Sequence, residues 1–179
     1  MSQNYIKLFK NGNDESMTNP DREVIALERV LLASNRAHWV VLTLGSQGSL
    51  SIQRLEGLSV TKLSTWPGLQ TVMKSVSPMH LSEVIGEDYN MVKHYPSANV
   101  SKFLMYATKQ FVWKNYLIQY CPTLLVETAG VGAGDKFIAG LAAGVLLKRS
   151  NVVPHLALGS LAASIGLANI AFDWSHILI

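Results

Sequence analysis

Apolar residues recur at helical spacing between Glu23 and Leu32. Val24, Leu27, Val30 and Leu31 fall along one side of a 3.6-residue turn, which predicts an amphipathic helix. The polar stretch before it, from Asn11 to Asp21 with Gly12, Asn13, Asp14, Asn19 and Pro20, reads as a loop. Trp39 to Leu44 is an unbroken β-branched and aliphatic run stopped by Gly45. A run of that kind predicts a strand buried on both faces, as in the interior of a parallel sheet. Ser49-Leu50-Ser51-Ile52 alternates and predicts another strand, and Leu58 to Leu63 a further one.

From Trp66 to Ala98 the periodicity is lost among Pro67, Gly68, Pro78, Gly86 and Pro96. So long an aperiodic segment is uncommon in a compact domain, and residues 66–98 are expected to be an inserted surface loop, a lid or a disordered excursion. Ser101 to Tyr120 carries Phe103, Tyr106, Phe111, Trp113 and Tyr116 in a pattern that fits helix and strand equally. Leu124 to Thr128 reads as a buried strand, and Gly130 to Gly134 as a glycine turn. From Asp135 a helix carries Phe137, Leu141 and Val145, and Pro154 opens a last helix over Leu156 to Ala171. Strands and helices alternating in this way indicate the α/β class.

Composition narrows the function. The chain has 179 residues, 49% of them hydrophobic, which suits a single domain with a substantial core. Its net charge of +3 comes from scattered lysines and arginines, without the basic cluster that nucleic-acid binding requires. Cys121 is the only cysteine, so no internal disulfide forms and no Cys/His metal cluster is present. The start of the chain lacks the pattern of a secretory signal, and a cytoplasmic location is expected. The apolar runs Phe137 to Leu147 and Leu156 to Phe172 read as buried helices rather than membrane spans.

The chemistry concentrates at Gly130-Val131-Gly132-Ala133-Gly134-Asp135. A strand, a glycine turn and a helix start form an anion site, because the first N–H groups of a helix lack partners within it and its dipole favours negative charge. Small residues let a phosphate approach the backbone, and an aspartate in the first turn is placed to take a proton from an attacking hydroxyl. The same residues also suit a purely structural role, in which the glycines permit tight packing and Asp135 serves the helix start. A P-loop fits poorly, because no Ser or Thr comes directly after Lys136. A dinucleotide fingerprint also fits poorly, because Gly130, Gly132 and Gly134 are spaced evenly by two.

Gly132-Ala133-Gly134-Asp135-Lys136-Phe137-Ile138-Ala139-Gly140 resembles the second signature of the ribokinase-like (PfkB) carbohydrate kinases. Val40 to Leu50, containing Thr43-Leu44-Gly45-Ser46-Gln47-Gly48, is similar to that family's strand-turn-strand beside ATP. The small residues of Ala157 to Ala168 resemble its last helix. The resemblance implies a three-layer α/β/α sandwich, of which residues 23–171 correspond to the C-terminal, ATP-binding half. It also implies transfer of the ATP γ-phosphoryl group to a hydroxyl of a sugar or nucleoside, with Mg²⁺ and often a stimulating monovalent cation.

Carried over by position, Asp135 is the base, and the amides of Gly132, Ala133 and Gly134 form the anion hole. Thr43, Gly45 and Gly48 lie against the nucleotide, and Asn169 lies in the adenine pocket or simply ends the helix. Lys136 is expected to face solvent. The family's usual Asp or Asn and Thr before the turn are replaced by Ala129 and Gly130. His94-Tyr95-Pro96, in a lengthened segment between the motifs, resembles the pseudouridine kinase branch. With the acceptor-binding half outside the resemblance, a homodimer or an upstream half is the expected partner. The alternative is a nucleotide-binding module that no longer catalyses transfer.

Overall fold

The computed structural model describes residues 22–34, 37–55, 63–86, 98–127, 131–146, 155–170, 172 and 174. The expected loop at Asn11 to Asp21, the strand at Leu58 to Leu63 except Leu63, the residues Thr128 to Gly130 and the element His94-Tyr95-Pro96 lie outside these residues. The structure belongs to the mixed α/β class. Its length predicts one domain, whereas contacts divide the chain into two compact units with interleaved segments.

The first unit comprises residues 1–42, 51–75 and 110–118. Its helix α1 (Arg22–Ala33) follows the predicted periodicity and buries Val24, Leu27 and Leu31. The greater part of a five-stranded sheet lies here, in the order β1-β2-β6-β5-β3, with β1 (Trp39–Thr43), β2 (Ser49–Arg54), β3 (Ser64–Thr65), β5 (Lys109–Trp113) and β6 (Tyr116–Cys121). The sheet is mixed. The Arg54 amide donates to the His38 carbonyl at 3.3 Å, bringing the end of β2 beside the start of β1, whereas β3 pairs parallel with β5.

β1 corrects its sequence reading. It is an edge strand among the described residues, pairs with β2 and is only partly buried, so it is not the interior of a parallel sheet. A continuous apolar run records hydrophobic contact without recording how many strands flank it.

Residues 66–86 correct a second expectation. In the first unit Trp66 is buried and packs edge-on against Phe111 at 5.4 Å, and α2 (Leu69–Ser75) buries Leu69 and Val72. The segment that reads as Ser101 to Tyr120 resolves into the end of a helix and the two strands β5 and β6. Lys114 makes their short turn at φ 53 and pairs with Glu28 at 3.2 Å.

The second unit comprises residues 43–50, 76–109 and 119–179. It contains β4 (Met79–His80), α3 (Leu81–Ile85), α4 (Ala98–Tyr106), β7 (Leu124–Leu125), α5 (Ala133–Leu146) and α6 (His155–Leu167). β4 pairs parallel with β7, so the predicted strand after Thr123 is real but spans only two residues. The His80 amide donates to Glu83 Oε1 at 3.0 Å and caps the start of α3.

α5 and α6 pack closely because glycines remove the side chains between them. A Cβ on Gly140 would meet the Ala162 Cβ at 2.6 Å and the Leu158 carbonyl at 2.7 Å. On Gly159 it would meet the Phe137 ring at 2.9 Å. α6 is apolar on nearly every side and buries residues all round, as a core helix does. Cys121 is fully buried, and desolvation pushes its thiol up to about 12, which keeps it protonated. No helix among the described residues is long and apolar enough to cross a membrane.

Candidate functional site

All the residues that form the site belong to the second unit. The turn between β1 and β2 is built by backbone hydrogen bonds. The Leu44 amide donates to the Gly48 carbonyl at 2.8 Å, and the Gly48 amide to the Gly45 carbonyl at 3.2 Å. Gly45 and Gly48 both sit at positive φ, 62° and 99°. Two side chains hold the turn in place. The Tyr120 hydroxyl donates to the Gln47 carbonyl at 2.9 Å, and the Thr123 hydroxyl to the Gly45 carbonyl at 3.0 Å.

Gly48 has a second constraint. A Cβ there would collide with the Cys121 carbonyl oxygen and come within 3.0 Å of the Pro122 Cα, so glycine is required by packing as well as by conformation.

The N-terminus of α5 supplies the other wall. The Lys136 amide donates to the Gly132 carbonyl at 3.2 Å, so Gly132 is the residue just before the helix and Ala133, Gly134 and Asp135 form its first turn. The amides of that first turn have no acceptor within the helix. Gly132 adopts φ 89°, and a Cβ on either Gly132 or Gly134 would meet nothing within 4 Å. Packing therefore does not exclude a side chain at Gly134, unlike at Gly48 and Gly140.

The turn and the helix start share one cavity of about 380 Å³, within the range of small-molecule sites. Thr43, Gly45 and Gly48 line it from one side and Ala133 and Gly134 from another. Five of the eight residues proposed from sequence thus border one space. Gly132 is adjacent in the chain to that wall without lining it. Asp135 is exposed in the first turn of α5 and is not a lining residue.

Asn169 does not line the cavity either. It takes φ 54° directly after α6, its amide reaches the Gly166 carbonyl at 3.4 Å, and the Ile170 amide reaches the Ile165 carbonyl at 3.1 Å. That pair of bonds is the Schellman closure of a helix, in which Asn often replaces glycine. Asn169 is therefore the helix-ending residue.

Lys136 corrects its reading as a solvent-facing residue. Its ammonium donates to the Gly166 carbonyl, a favourable place for a cation at a helix C-terminus. The Lys136 stem lies where a Cβ on Gly166 would be, so the start of α5 is tied to the end of α6. Lys136 also lines a separate apolar groove of about 350 Å³ with Ala139, Ala143, Ile170 and Trp174.

Several cavity residues carry no role in the sequence reading. The Ser160 hydroxyl donates to the Pro122 carbonyl at 2.9 Å and that of Ser164 to the Leu124 carbonyl at 3.0 Å. These two serines, one helical turn apart on α6, satisfy the carbonyl of Pro122, two residues before β7, and that of Leu124, the first residue of β7. Their only signal in the sequence is a spacing of four within an apolar helix. Ser164→Ala is expected to lower unfolding stability by about 1–3 kcal/mol, because the buried Leu124 carbonyl loses its donor. Urea denaturation measures the change.

Among the described residues no group of three or more His, Cys, Asp or Glu side chains is arranged to hold a metal. No family model, curated protein or solved structure gives a significant match to this chain.

Proposed function

We propose that this chain is the ATP-binding portion of a PfkB-type kinase with a three-layer α/β/α design, transferring the γ-phosphoryl group to a hydroxyl of a sugar or nucleoside. One observation carries the reading. The two sequence motifs that resemble the family, distant in the chain, border a single cavity through Thr43, Gly45, Gly48, Ala133 and Gly134. Chance likeness of two short motifs does not by itself bring them together.

In this reading the nucleotide lies in the cavity with its terminal phosphate at the start of α5. Unpaired amides of Ala133 and Gly134, with that of Gly132 beside them, stabilise the charge that develops on the transferring group. Asp135 accepts the proton of the attacking hydroxyl. Phosphoryl transfer depends mainly on positioning and charge stabilisation, so this small set suffices for the nucleotide end.

Mg²⁺ would enter with the phosphates, its usual ligands, and would neutralise charge on them. Acceptor recognition, including the pseudouridine-like class suggested by His94-Tyr95-Pro96, belongs to residues outside the described set, in a second copy or an upstream half. The single buried thiol suits a reducing, cytoplasmic setting.

A second reading, nucleotide binding without transfer, is favoured by one specific observation: Asp135 stands outside the residues that line the cavity. Incubation of the protein with Mg²⁺ and γ-labelled ATP against a panel of sugars and nucleosides separates the two. Label on an acceptor is expected. ATP binding without label supports the second reading, and absence of ATP binding contradicts both.

A further inference from the structure

We propose that Lys136 is a positioning residue of this site: by holding the start of α5 against the end of α6, it fixes the first-turn amides that receive the terminal phosphate. The inference rests on the nucleotide reading above and deepens it.

Side-chain packing does little to hold the first turn of α5. Gly132 sits at positive φ, a Cβ on Gly132 or Gly134 would meet nothing within 4 Å, and Asp135 is exposed. Glycines of this kind let a phosphate approach and also leave the backbone its freedom. Amides that stabilise a transferring group act only when held in place beforehand, and a misplacement of about 1 Å costs about 10²-fold in rate. The turn therefore needs an anchor, and the two residues after Asp135 supply one each.

Phe137 is buried, with its ring against Gly159. Lys136 donates its ammonium to the Gly166 carbonyl, and its stem fills the space that a Cβ on Gly166 would take. Gly159 and Gly166 lie about two turns apart on α6, so α5 is fastened to that helix at two points. α6 also carries Ser160, Ala163, Ser164 and Leu167, which line the cavity. A contact at Phe137 alone leaves α5 able to pivot, and the second contact, one residue closer to the amides, stops it. Lys136 lines the separate groove and not the cavity, so its effect on a phosphate passes through the backbone of α5.

Two variants separate position from charge. Lys136→Met keeps most of the stem and removes the ammonium. Gly166→Ala keeps the ammonium but puts a methyl where the stem lies, so the lysine must swing off the carbonyl. Alanine also suits a helix better than glycine, which offsets the lost tie in overall stability. Titration calorimetry with tripolyphosphate, ATP and adenosine, and the melting temperatures of the unliganded proteins, compare both with wild type and with Lys136→Arg.

Tripolyphosphate affinity is expected to fall by about threefold to tenfold in both variants, with adenosine affinity within about twofold and Lys136→Arg close to wild type. With an acceptor that wild type labels, kcat is expected to fall by about tenfold to hundredfold in the same two variants. A loss in Lys136→Met without one in Gly166→Ala overturns the inference in favour of a direct charge effect on the phosphate. Unchanged tripolyphosphate affinity in both variants also overturns it. Equal losses for all three probes with a lower melting temperature reduce Lys136 to a structural tie. Each of these results leaves the nucleotide reading standing, whereas failure of wild type itself to bind ATP removes that reading and this inference with it.

Discussion

Asp135→Asn is expected to slow phosphoryl transfer from ATP by about 10²- to 10⁴-fold, the span of a lost general base, while ATP affinity changes by less than about threefold. The substitution keeps the shape of the side chain and removes its capacity to hold a proton. Asp135 is exposed in the first turn of α5, so the fold does not depend on its burial. Loss of its charge from a helix N-terminus costs about 0.3–1 kcal/mol, too little to mimic a catalytic defect through unfolding. Single-turnover rates with labelled ATP, read beside a denaturation curve, separate the two effects. Transfer that persists at the wild-type rate would assign Asp135 to the helix start alone.

Gly48→Ala is expected to be the most damaging single methyl in the second unit. The new Cβ would collide with the Cys121 carbonyl oxygen and come within 3.0 Å of the Pro122 Cα, both backbone and unable to swing aside. It would also place a side chain at φ 99°, a region L-residues rarely adopt. Backbone strain and overpacking together cost about 3 kcal/mol or more, a large share of a typical domain's stability. Gly45→Ala is the matched control. It too has positive φ, but nothing lies within 4 Å of its Cβ, so the cost is about 1–2 kcal/mol. Melting temperatures of the two variants should therefore separate clearly, with the Gly48 variant the lower.

These two residues also show what could be read from the sequence. The glycine turn and the helix after it are legible because unpaired amides and backbone conformation depend on local residue types, and α5 begins within two residues of its predicted start. The periodicity of Val24, Leu27 and Leu31 is local in the same sense and gives α1 directly.

What depends on distant partners is not legible. Neighbour count decides whether Trp39 to Thr43 is an edge or a centre, and the run itself is silent on it. α2 and α3 have seven and five residues, too short for a periodic pattern to emerge, so a segment that buries Trp66, Leu69, Leu81 and Val84 reads as loop. Lys136 looks like a surface residue because its acceptor, the Gly166 carbonyl, is thirty residues away. Asn169 stands between two meanings in the sequence, and the bonds that close α6 identify it as the helix end. Ser49 lies within the motif resembling the family, yet the lack of a partner for its hydroxyl among the described residues emerges only from the packing around it.

The central claim is that a nucleotide occupies the cavity between the Gly45–Gly48 turn and the start of α5, with its terminal phosphate on the amides of Gly132 to Gly134. A crystal structure with a non-hydrolysable ATP analogue and Mg²⁺ measures this directly. The account predicts the γ-phosphate oxygens within hydrogen-bonding reach of those amides and beside the Asp135 carboxylate. A nucleotide bound elsewhere, or bound with its phosphates turned away from α5, would contradict it.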